Sequence, residues 1–180
     1  LNASDAIVGS GCLQLSNPDS DSSDDQYVQI PAGVVDYRDI TISVWVRPNI
    51  IHGWSRIFDF GTGTNNYLFL TGNVGGGGGL RYAMRIPDVG EQILDGAALA
   101  VDQWYHVAVT ITGNTGRLYR NGELVAVNPN LTLNPIDVGA TLNYLGKSQW
   151  PDPEFDGLID DLKIWNYART TEQIRSEERR

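Results

Sequence analysis

The chain consists of short segments in which apolar and polar residues alternate. From position 11 to 120 these segments are rich in Val, Ile, Tyr, Phe and Trp, and Gly, Pro, Asn and Asp interrupt them. Such spacing is typical of an all-β sandwich or barrel. The pattern predicts strands at 11–16, 26–31, 39–47, 55–60, 66–71, 80–86, 91–95, 104–112, 116–121, 123–128, 141–146 and 157–167.

Two turns and one helix are predicted from specific residue types. Asn121-Gly122 suits the positive φ angles of a type I′ hairpin, and 113–116 reads GNTG, so 104–128 is predicted to form a three-stranded meander. Thr170 or Thr171 is suited to cap one short helix after the last strand.

Length and composition favour one globular domain, covering 1–180. Cys12 is the only cysteine, which excludes an intrachain disulfide and favours a small buried side chain. The net charge of -9 argues against nucleic acid and anionic membranes as partners, and we expect the isolated domain to be monomeric. No apolar run is long enough to span a membrane, and the start is no signal peptide, so an excised domain is expected.

The last predicted strand contains an unusual carboxylate. Strict alternation places Asp160 on one face with Leu158, Leu162 and Ile164. Burial there costs several kcal/mol (roughly 2–7) unless a cation or hydrogen-bond donors compensate the charge. The stretch therefore predicts either a bound ion or a set of amide donors at Asp160.

Two tryptophans in loop-like contexts are candidates for sugar binding. Trp54 lies in HGWSR and Trp150 in SQWPDPE, where an exposed indole is otherwise an apolar liability. Sugars stack their C–H faces on aromatic rings and bond planar polar groups through their hydroxyls. The predicted carbohydrate-binding residues are Trp54, Arg56, Arg81, Tyr82, Arg85, Trp150 and Asp152. The alternative is that each Trp packs beneath its own loop.

The other tryptophans and the second histidine are predicted to have packing roles. Trp45, Trp104 and Trp165 lie within regular strands, next to Val, Tyr or Ile. His106 alternates with valines and has no neighbouring ligand residues, so a hydrogen-bonded structural role is expected.

Several strings together resemble a known family. They are LQLSNPDSDSSDDQYVQIP, ITISVWVRP, RIFDFGTGTNNYLFLT, DQWYHVAVTITGNTGRLYRNGELV and LNYLGKSQWPDPEFDGLIDDLKIWNYART. The chain resembles laminin-G-like, concanavalin A-like jelly-roll domains, in particular those attached to bacterial secreted glycoside hydrolases. The resemblance implies a two-sheet antiparallel jelly-roll sandwich. It also implies an extracellular location and frequent carbohydrate binding without cleavage, although one fold hosts many functions.

The resemblance also implies a structural calcium ion at the edge of the sandwich. Asp160 or Asp161 matches the acidic pair of the family, and the acidic loop at 17–26 supplies oxygen-rich partners. The predicted ligands are Asn17, Asp19, Asp21, Asp160 and Asp161. The alternative is a solvated acidic loop together with an aspartate bonded to backbone amides.

Catalysis is not expected from this sequence. Laminarinase-type enzymes of the same fold carry E-x-D followed closely by a second Glu, whereas Glu154 and Asp156 are followed by Gly, Leu and Ile. Motifs for serine or zinc hydrolysis are absent. We therefore expect a non-catalytic carbohydrate-binding module that holds a tethered catalytic domain near a polysaccharide. The alternatives are a structural or protein-interaction domain and, third, a laminarinase-like hydrolase.

Overall fold

Two six-stranded antiparallel sheets face each other in the computed structural model, which describes residues 1–19 and 25–179. The strands are β1 (Leu13–Leu15), β2 (Val28–Ile30), β3 (Ile40–Ile50), β4 (Arg56–Gly61), β5 (Tyr67–Thr71), β6 (Arg81–Ile86), β7 (Gly90–Asp95), β8 (Tyr105–Thr112), β9 (Thr115–Arg120), β10 (Glu123–Asn128), β11 (Leu142–Leu145) and β12 (Asp156–Trp165). The first sheet has the order β1-β12-β3-β8-β9-β10 and the second β2-β11-β4-β5-β6-β7. The predicted jelly-roll sandwich is confirmed.

The inner faces of both sheets form one shared core. On β3 the alternate residues Ile42, Val44 and Val46 point inward, and on β5 Leu68 and Leu70 do the same. Because successive strand side chains point to opposite faces, the residues between them lie on the outer faces. The predicted meander is present as β8, β9 and β10, joined by tight turns.

Two short helices complete the described fold. The helix α2 (Thr171–Glu178) is capped by Thr170, whose hydroxyl accepts a hydrogen bond from the Gln173 amide at 3.3 Å. Its Ile174 packs on the outer face of the first sheet, against Ala108 and Tyr119. The sequence pattern missed α1 (Pro135–Val138), which is a single turn. In the described parts of the chain, neither helix has the length and apolar character that a membrane crossing requires.

A β-bulge in β12 overturns the predicted strict alternation. The pairing of β12 with β3 shifts register between Asp160 and Lys163, and Asp161 has a φ of 49°. Ile159 lies in the core, and after the bulge Leu162 and Ile164 again pack against it. The prediction that Asp160 shares a face with Leu162 and Ile164 was therefore wrong, because the extra residue reverses the alternation.

The Asp160 carboxylate lies on the outer face and is bonded to backbone amides. Oδ2 accepts hydrogen bonds from the amides of Ile7 and Val8, both at 2.9 Å. Oδ1 accepts one from the amide of Asp161 at 2.8 Å. These donors compensate the buried charge and attach the N-terminal segment to the first sheet.

Candidate functional site

A second bulge places two ionisable residues of β4 on the outer face of the second sheet. Residues three apart on a regular strand point to opposite faces. The pairing of β4 with β5 shifts register between Arg56 and Phe58, and both Ile57 and Phe58 enter the core. Arg56 and Asp59 consequently share the outer face, where Arg56 Nε lies 3.5 Å from Asp59 Oδ2.

This ion pair is buried despite its position on an outer face. The side chains of Arg56 and Asp59 are 4% and 0% exposed. Arg56 Nη2 lies 3.2 Å from Asp152 Oδ2, and Nη1 donates a hydrogen bond to the Trp54 carbonyl. Burial raises the pKa of Asp59 to about 7, although the Arg56 charge opposes the rise. Burial likewise lowers the pKa of Arg56.

Aromatic rings enclose the Arg56 guanidinium. Its central carbon lies 4.0 Å from the centroid of the Phe69 ring, and 5.5 Å and 5.7 Å from the rings of Trp54 and Trp150. Tyr67 meets Trp150 edge to face, with ring centroids 4.7 Å apart. The aromatic side chains thus supply both the contacts of the cation and the walls of a depression.

The depression is an open cavity of about 210 Å³ on the outer face of the second sheet. On one side the Tyr67 hydroxyl donates a hydrogen bond to Glu91 Oε2 at 2.5 Å. The cavity is lined by Trp54, Arg56, Tyr67, Phe69, Glu91, Trp150 and Asp152. Aromatic walls with a few convergent polar groups are the usual composition of a small-molecule site.

Trp54 is held in the left-handed conformation by the glycine-rich loop. Its φ is 66°, which is unusual for a bulky residue, and its amide donates to the Asn73 carbonyl at 2.8 Å. A Cβ on Gly75 would lie 2.8 Å from Trp54 Nε1. The run of glycines at 75–79 therefore begins with a residue whose missing side chain makes room for the indole.

The loop that carries Trp150 is fixed by a serine hydroxyl. Ser148 Oγ accepts a hydrogen bond from the Trp150 amide at 3.1 Å and donates one to Asp152 Oδ2 at 2.9 Å. The amide of Gln149 donates to Asp59 Oδ2 at 3.1 Å. The buried carboxylate of β4 thereby anchors the loop as well as the guanidinium.

Four of the predicted carbohydrate-binding residues meet in this cavity: Trp54, Arg56, Trp150 and Asp152. Arg81 and Arg85 occupy the same outer face but do not line it. Arg81 binds both carboxylate oxygens of Asp95, at 2.6 Å and 2.8 Å. Arg85 Nη1 contacts the Thr64 carbonyl at 3.4 Å.

Tyr82 was wrongly predicted as a sugar contact. It is 1% exposed and belongs to the core, because the alternation of β6 turns Tyr82 inward between the outward-facing Arg81 and Ala83. Burial raises the pKa of its phenol. Arg81, Tyr82 and Arg85 are close in sequence, but the strand alternation separates the tyrosine from the two arginines.

Sequence reasoning missed three residues that line the cavity: Tyr67, Phe69 and Glu91. The first two carry a readable signal, since YLFLT is aromatic at alternate positions and its leucines suit the core. Glu91 carries none, because it reaches Tyr67 only through two successive strand pairings, β5 with β6 and β6 with β7.

The predicted calcium ligands do not assemble as a set. The Asn17 side chain is buried, and its Nδ2 donates hydrogen bonds to the carbonyls of Gln26 and Phe155. Its Oδ1 accepts a hydrogen bond from the Gln26 amide at 2.8 Å. Asn17 lies beside Asp156, four residues along β12 from Asp160, which is a separation of about 13 Å at the strand rise. Asn17 and Asp160 therefore cannot bind one ion.

The remaining predicted calcium ligands do not lie together either. Asp161 pairs with Lys163, Asp19 is exposed, and Asp21 lies outside the described residues. Within 1–19 and 25–179, no cluster of three metal-ligating side chains of the His, Cys, Asp or Glu type occurs. Asn17, Asp160 and Asp161 thus do not fit a calcium ion, and a site in the acidic loop stays a prediction.

Glu154 and His106, two further ionisable residues, lie outside the lining of the cavity. Glu154 is largely buried, and its carboxylate lies 3.2 Å from Lys147 Nζ. The His106 ring packs against Trp45 at a centroid distance of 5.2 Å, and burial lowers its pKa to about 4. Neither contributes to the lining of the cavity.

Comparison with known proteins agrees with this architecture. Residues 21–175 match the family model described as the concanavalin A-like lectin/glucanases superfamily. The chain belongs to this family. Among solved structures, domain 4 of AbnA, an extracellular arabinanase of Geobacillus stearothermophilus in complex with arabinotriose, has a TM-score of 0.75 and 23% identity, covering 92% of this chain and 75% of that one.

A second solved structure and one curated sequence are also similar to this chain. The carbohydrate-binding module of a Ruminococcus gnavus sialidase, bound to α2,3-sialyllactose, has a TM-score of 0.70 and 17% identity over 85% of this chain and 96% of its own. An α-L-arabinofuranosidase of Bifidobacterium longum is 30% identical over 71 residues, which is 39% of this chain and 7% of that enzyme. The match thus spans only a small part of this curated relative.

Proposed function

We propose that the protein is a non-catalytic carbohydrate-binding module that binds an oligosaccharide or polysaccharide in the cavity of the second sheet. The observation that carries the proposal is the assembly of Trp54 and Trp150 around the buried Arg56. Trp54 remains 36% exposed although it is held in an unfavourable backbone conformation, as expected for a side chain that awaits a ligand.

The relatives support a proposal about the wider setting of the module. One structural relative is a domain of an extracellular arabinanase, and another is a module of a sialidase. We therefore extend the proposal to an extracellular location and to a tethered glycoside hydrolase as the partner. Weak binding by the module raises the effective concentration of substrate at that catalytic domain.

Calorimetry and affinity gels with arabinan, xylan, β-glucan and fructan test the proposal. Wild-type protein is expected to bind at least one of these, and Trp54→Ala and Trp150→Ala are each expected to weaken binding at least ~10-fold, because loss of stacking removes about 1.4 kcal/mol or more. Tyr167→Ala is the matched control, since Tyr167 is 46% exposed and does not line the cavity. Absence of binding to the whole panel would sink the proposal.

The same samples test the non-catalytic part. Glu91 and Asp152 both line the cavity, and two carboxylates are the usual machinery of glycoside hydrolysis. Each carboxylate already has a partner within the protein. Glu91 accepts a hydrogen bond from the Tyr67 hydroxyl, and Asp152 pairs with the Arg56 guanidinium. We expect no release of reducing sugar during prolonged incubation. Release that Glu91→Gln abolishes would identify an enzyme instead.

A further inference from the structure

Two of the arginines on the outer face of the second sheet have carboxylate partners, whereas, among the described residues, Arg85 contacts only the Thr64 carbonyl. Arg56 lies within 3.5 Å of carboxylate oxygens of Asp59 and Asp152, and its side chain is 4% exposed. Arg81 binds Asp95 through two hydrogen bonds and lies 3.9 Å from Glu91. Within the lining, a ligand therefore meets one guanidinium, that of Arg56, whose charge is compensated within the protein.

Two carboxylates of the lining each keep an oxygen free. The Ser148 hydroxyl and the Arg56 guanidinium both contact Asp152 through Oδ2, and the Tyr67 hydroxyl donates to Glu91 Oε2. Glu91 Oε1 lies 3.9 Å from Arg81 Nη1, beyond hydrogen-bonding distance. Within the described chain, Asp152 Oδ1 and Glu91 Oε1 are thus available acceptors, on side chains that are 25% and 33% exposed.

An ionised carboxylate accepts hydrogen bonds and donates none. The matching ligand groups are hydroxyls, which donate, whereas a ligand carboxylate brings a second negative charge and no donor. The lining contains one cation, Arg56, and two anions, Glu91 and Asp152, so its balance is negative even without Asp59. The chain as a whole carries a net charge of -9, which adds to the repulsion.

The size of the cavity restricts the ligand further. Sites for drug-sized ligands have volumes of about 300–1,000 Å³. The cavity here has about 210 Å³, and its lining includes two indole rings that can pack on the C–H face of a ring. One sugar ring matches this space.

We propose that the cavity binds one uncharged, hydroxyl-bearing sugar residue and rejects sugars that carry a carboxylate. The inference rests on the proposed function and narrows its ligand class. It separates this module from recognition of sialic acid or uronic acid residues, whose carboxylates need free cations.

The test uses one oligosaccharide in two forms. A neutral oligosaccharide that binds is compared by calorimetry with the same molecule after oxidation of its primary alcohols to carboxylates. We expect the oxidised form to bind at least ~10-fold more weakly. The affinity for the neutral form is expected to stay unchanged between about 50 mM and about 500 mM NaCl, because no net charge is neutralised.

Two variants separate charge from shape. Glu91→Gln removes one negative charge and is expected to reduce the discrimination against the oxidised form several-fold, whereas steric rejection would leave it unchanged. Arg47→Gln is the control, because Arg47 lies on the first sheet, away from the lining, and its discrimination is expected to equal that of wild type.

The outcomes distinguish the two proposals. Equal or tighter binding of the oxidised form, or discrimination that Glu91→Gln does not change, overturns the inference about charge and leaves sugar binding established. Failure of every neutral and carboxylated sugar to bind, with sialyllactose and polygalacturonate included in the panel, overturns both.

Discussion

Polar groups on the outer faces of the two sheets are buried by different means. On the first sheet, α2 packs on Tyr119 and Ala108, and the N-terminal segment donates amides to Asp160. On the second sheet, the ion pair of Arg56 and Asp59 is equally buried, but aromatic side chains cover it and an open cavity remains. Elements of the chain cover part of the first face, whereas aromatic side chains line an open cavity on the second.

The largest expected effect concerns the buried ion pair of the second face. Arg56→Met leaves Asp59 without its cation and is expected to lower the free energy of unfolding by about 3–5 kcal/mol at pH 8. The loss should be smaller at pH 5, where Asp59 is protonated at little cost. Urea unfolding at both pH values measures this.

The matched control lies on the first face. Arg47 pairs with Asp102 at 3.2 Å, with side chains 27% and 67% exposed. Arg47→Met is expected to change stability by only about 0–1 kcal/mol at either pH. Equal losses for the two variants would show that the contrast between the faces has no energetic basis.

The second prediction concerns Asp160 on the first face. Asp160→Ala removes the acceptor of the amides of Ile7 and Val8 and is expected to cost about 2 kcal/mol, or roughly 4–8 °C in Tm. The cost should be the same with and without chelator, because backbone amides bind both oxygens of this carboxylate.

The chelator also tests the predicted calcium site in the acidic loop. Any fall in Tm that chelator causes in wild type should persist in Asp160→Ala and disappear in an Asp19→Ala, Asp21→Ala double variant. Loss of the chelator response in Asp160→Ala would contradict the amide assignment and place a metal on the first face.

The third prediction compares two glycines beside the cavity. Gly75→Ala places a Cβ 2.8 Å from Trp54 Nε1 and is expected to weaken sugar binding about 10-fold. Gly77 has a similar positive φ of 84° but no atom within 4 Å of its added Cβ. Gly77→Ala should therefore cost about 1–2 kcal/mol of stability with unchanged sugar affinity. Equal affinities of the two variants would show that Gly75 does not position Trp54.

The smallest net effect is a pH dependence in which the two faces oppose each other. The pKa of Asp59 is raised to about 7 in the folded protein, above its value of about 4 in the unfolded chain. Between these two pH values the folded protein binds more protons at Asp59 than the unfolded chain does. The contribution of Asp59 to stability therefore falls as pH rises from about 4 to 7. His106 has a pKa lowered to about 4, so its contribution rises between about pH 4 and pH 6.5.

Thermal melting across this pH range separates the two contributions. The stability of Asp59→Asn is expected to rise with pH more steeply than that of wild type, because the Asp59 contribution, which falls with pH, is removed. His106→Asn is expected to gain less than wild type. Identical slopes in all three proteins would contradict both assignments.

The strands were predictable because their signals are local. Alternation in β3, β5 and β8, and the Asn121-Gly122 turn with φ values of 51° and 73°, are consequences of neighbouring residues. The short α1 was missed because four residues carry too little periodicity to detect.

The candidate site was predictable only in part because it depends on register. Trp54 and Trp150 were found from their loop contexts, whereas Glu91 reaches Tyr67 only through strand pairing. The positions of Tyr82 and Asp160 were predicted wrongly for a related reason. The position of Tyr82 depends on which face of β6 points inward, and the face that Asp160 shares depends on the extra residue in β12.

The bulge in β4 has a consequence for how this cavity arises among relatives. A single inserted residue brings Arg56 and Asp59 onto one face while Phe58 and Phe60 keep their places in the core. The ionic floor of the cavity can therefore be gained or lost through a one-residue length change. Related sandwiches that align with this chain along β5 and β6 but lack a residue at Ile57 are then expected to lack the ion pair and to bind different ligands.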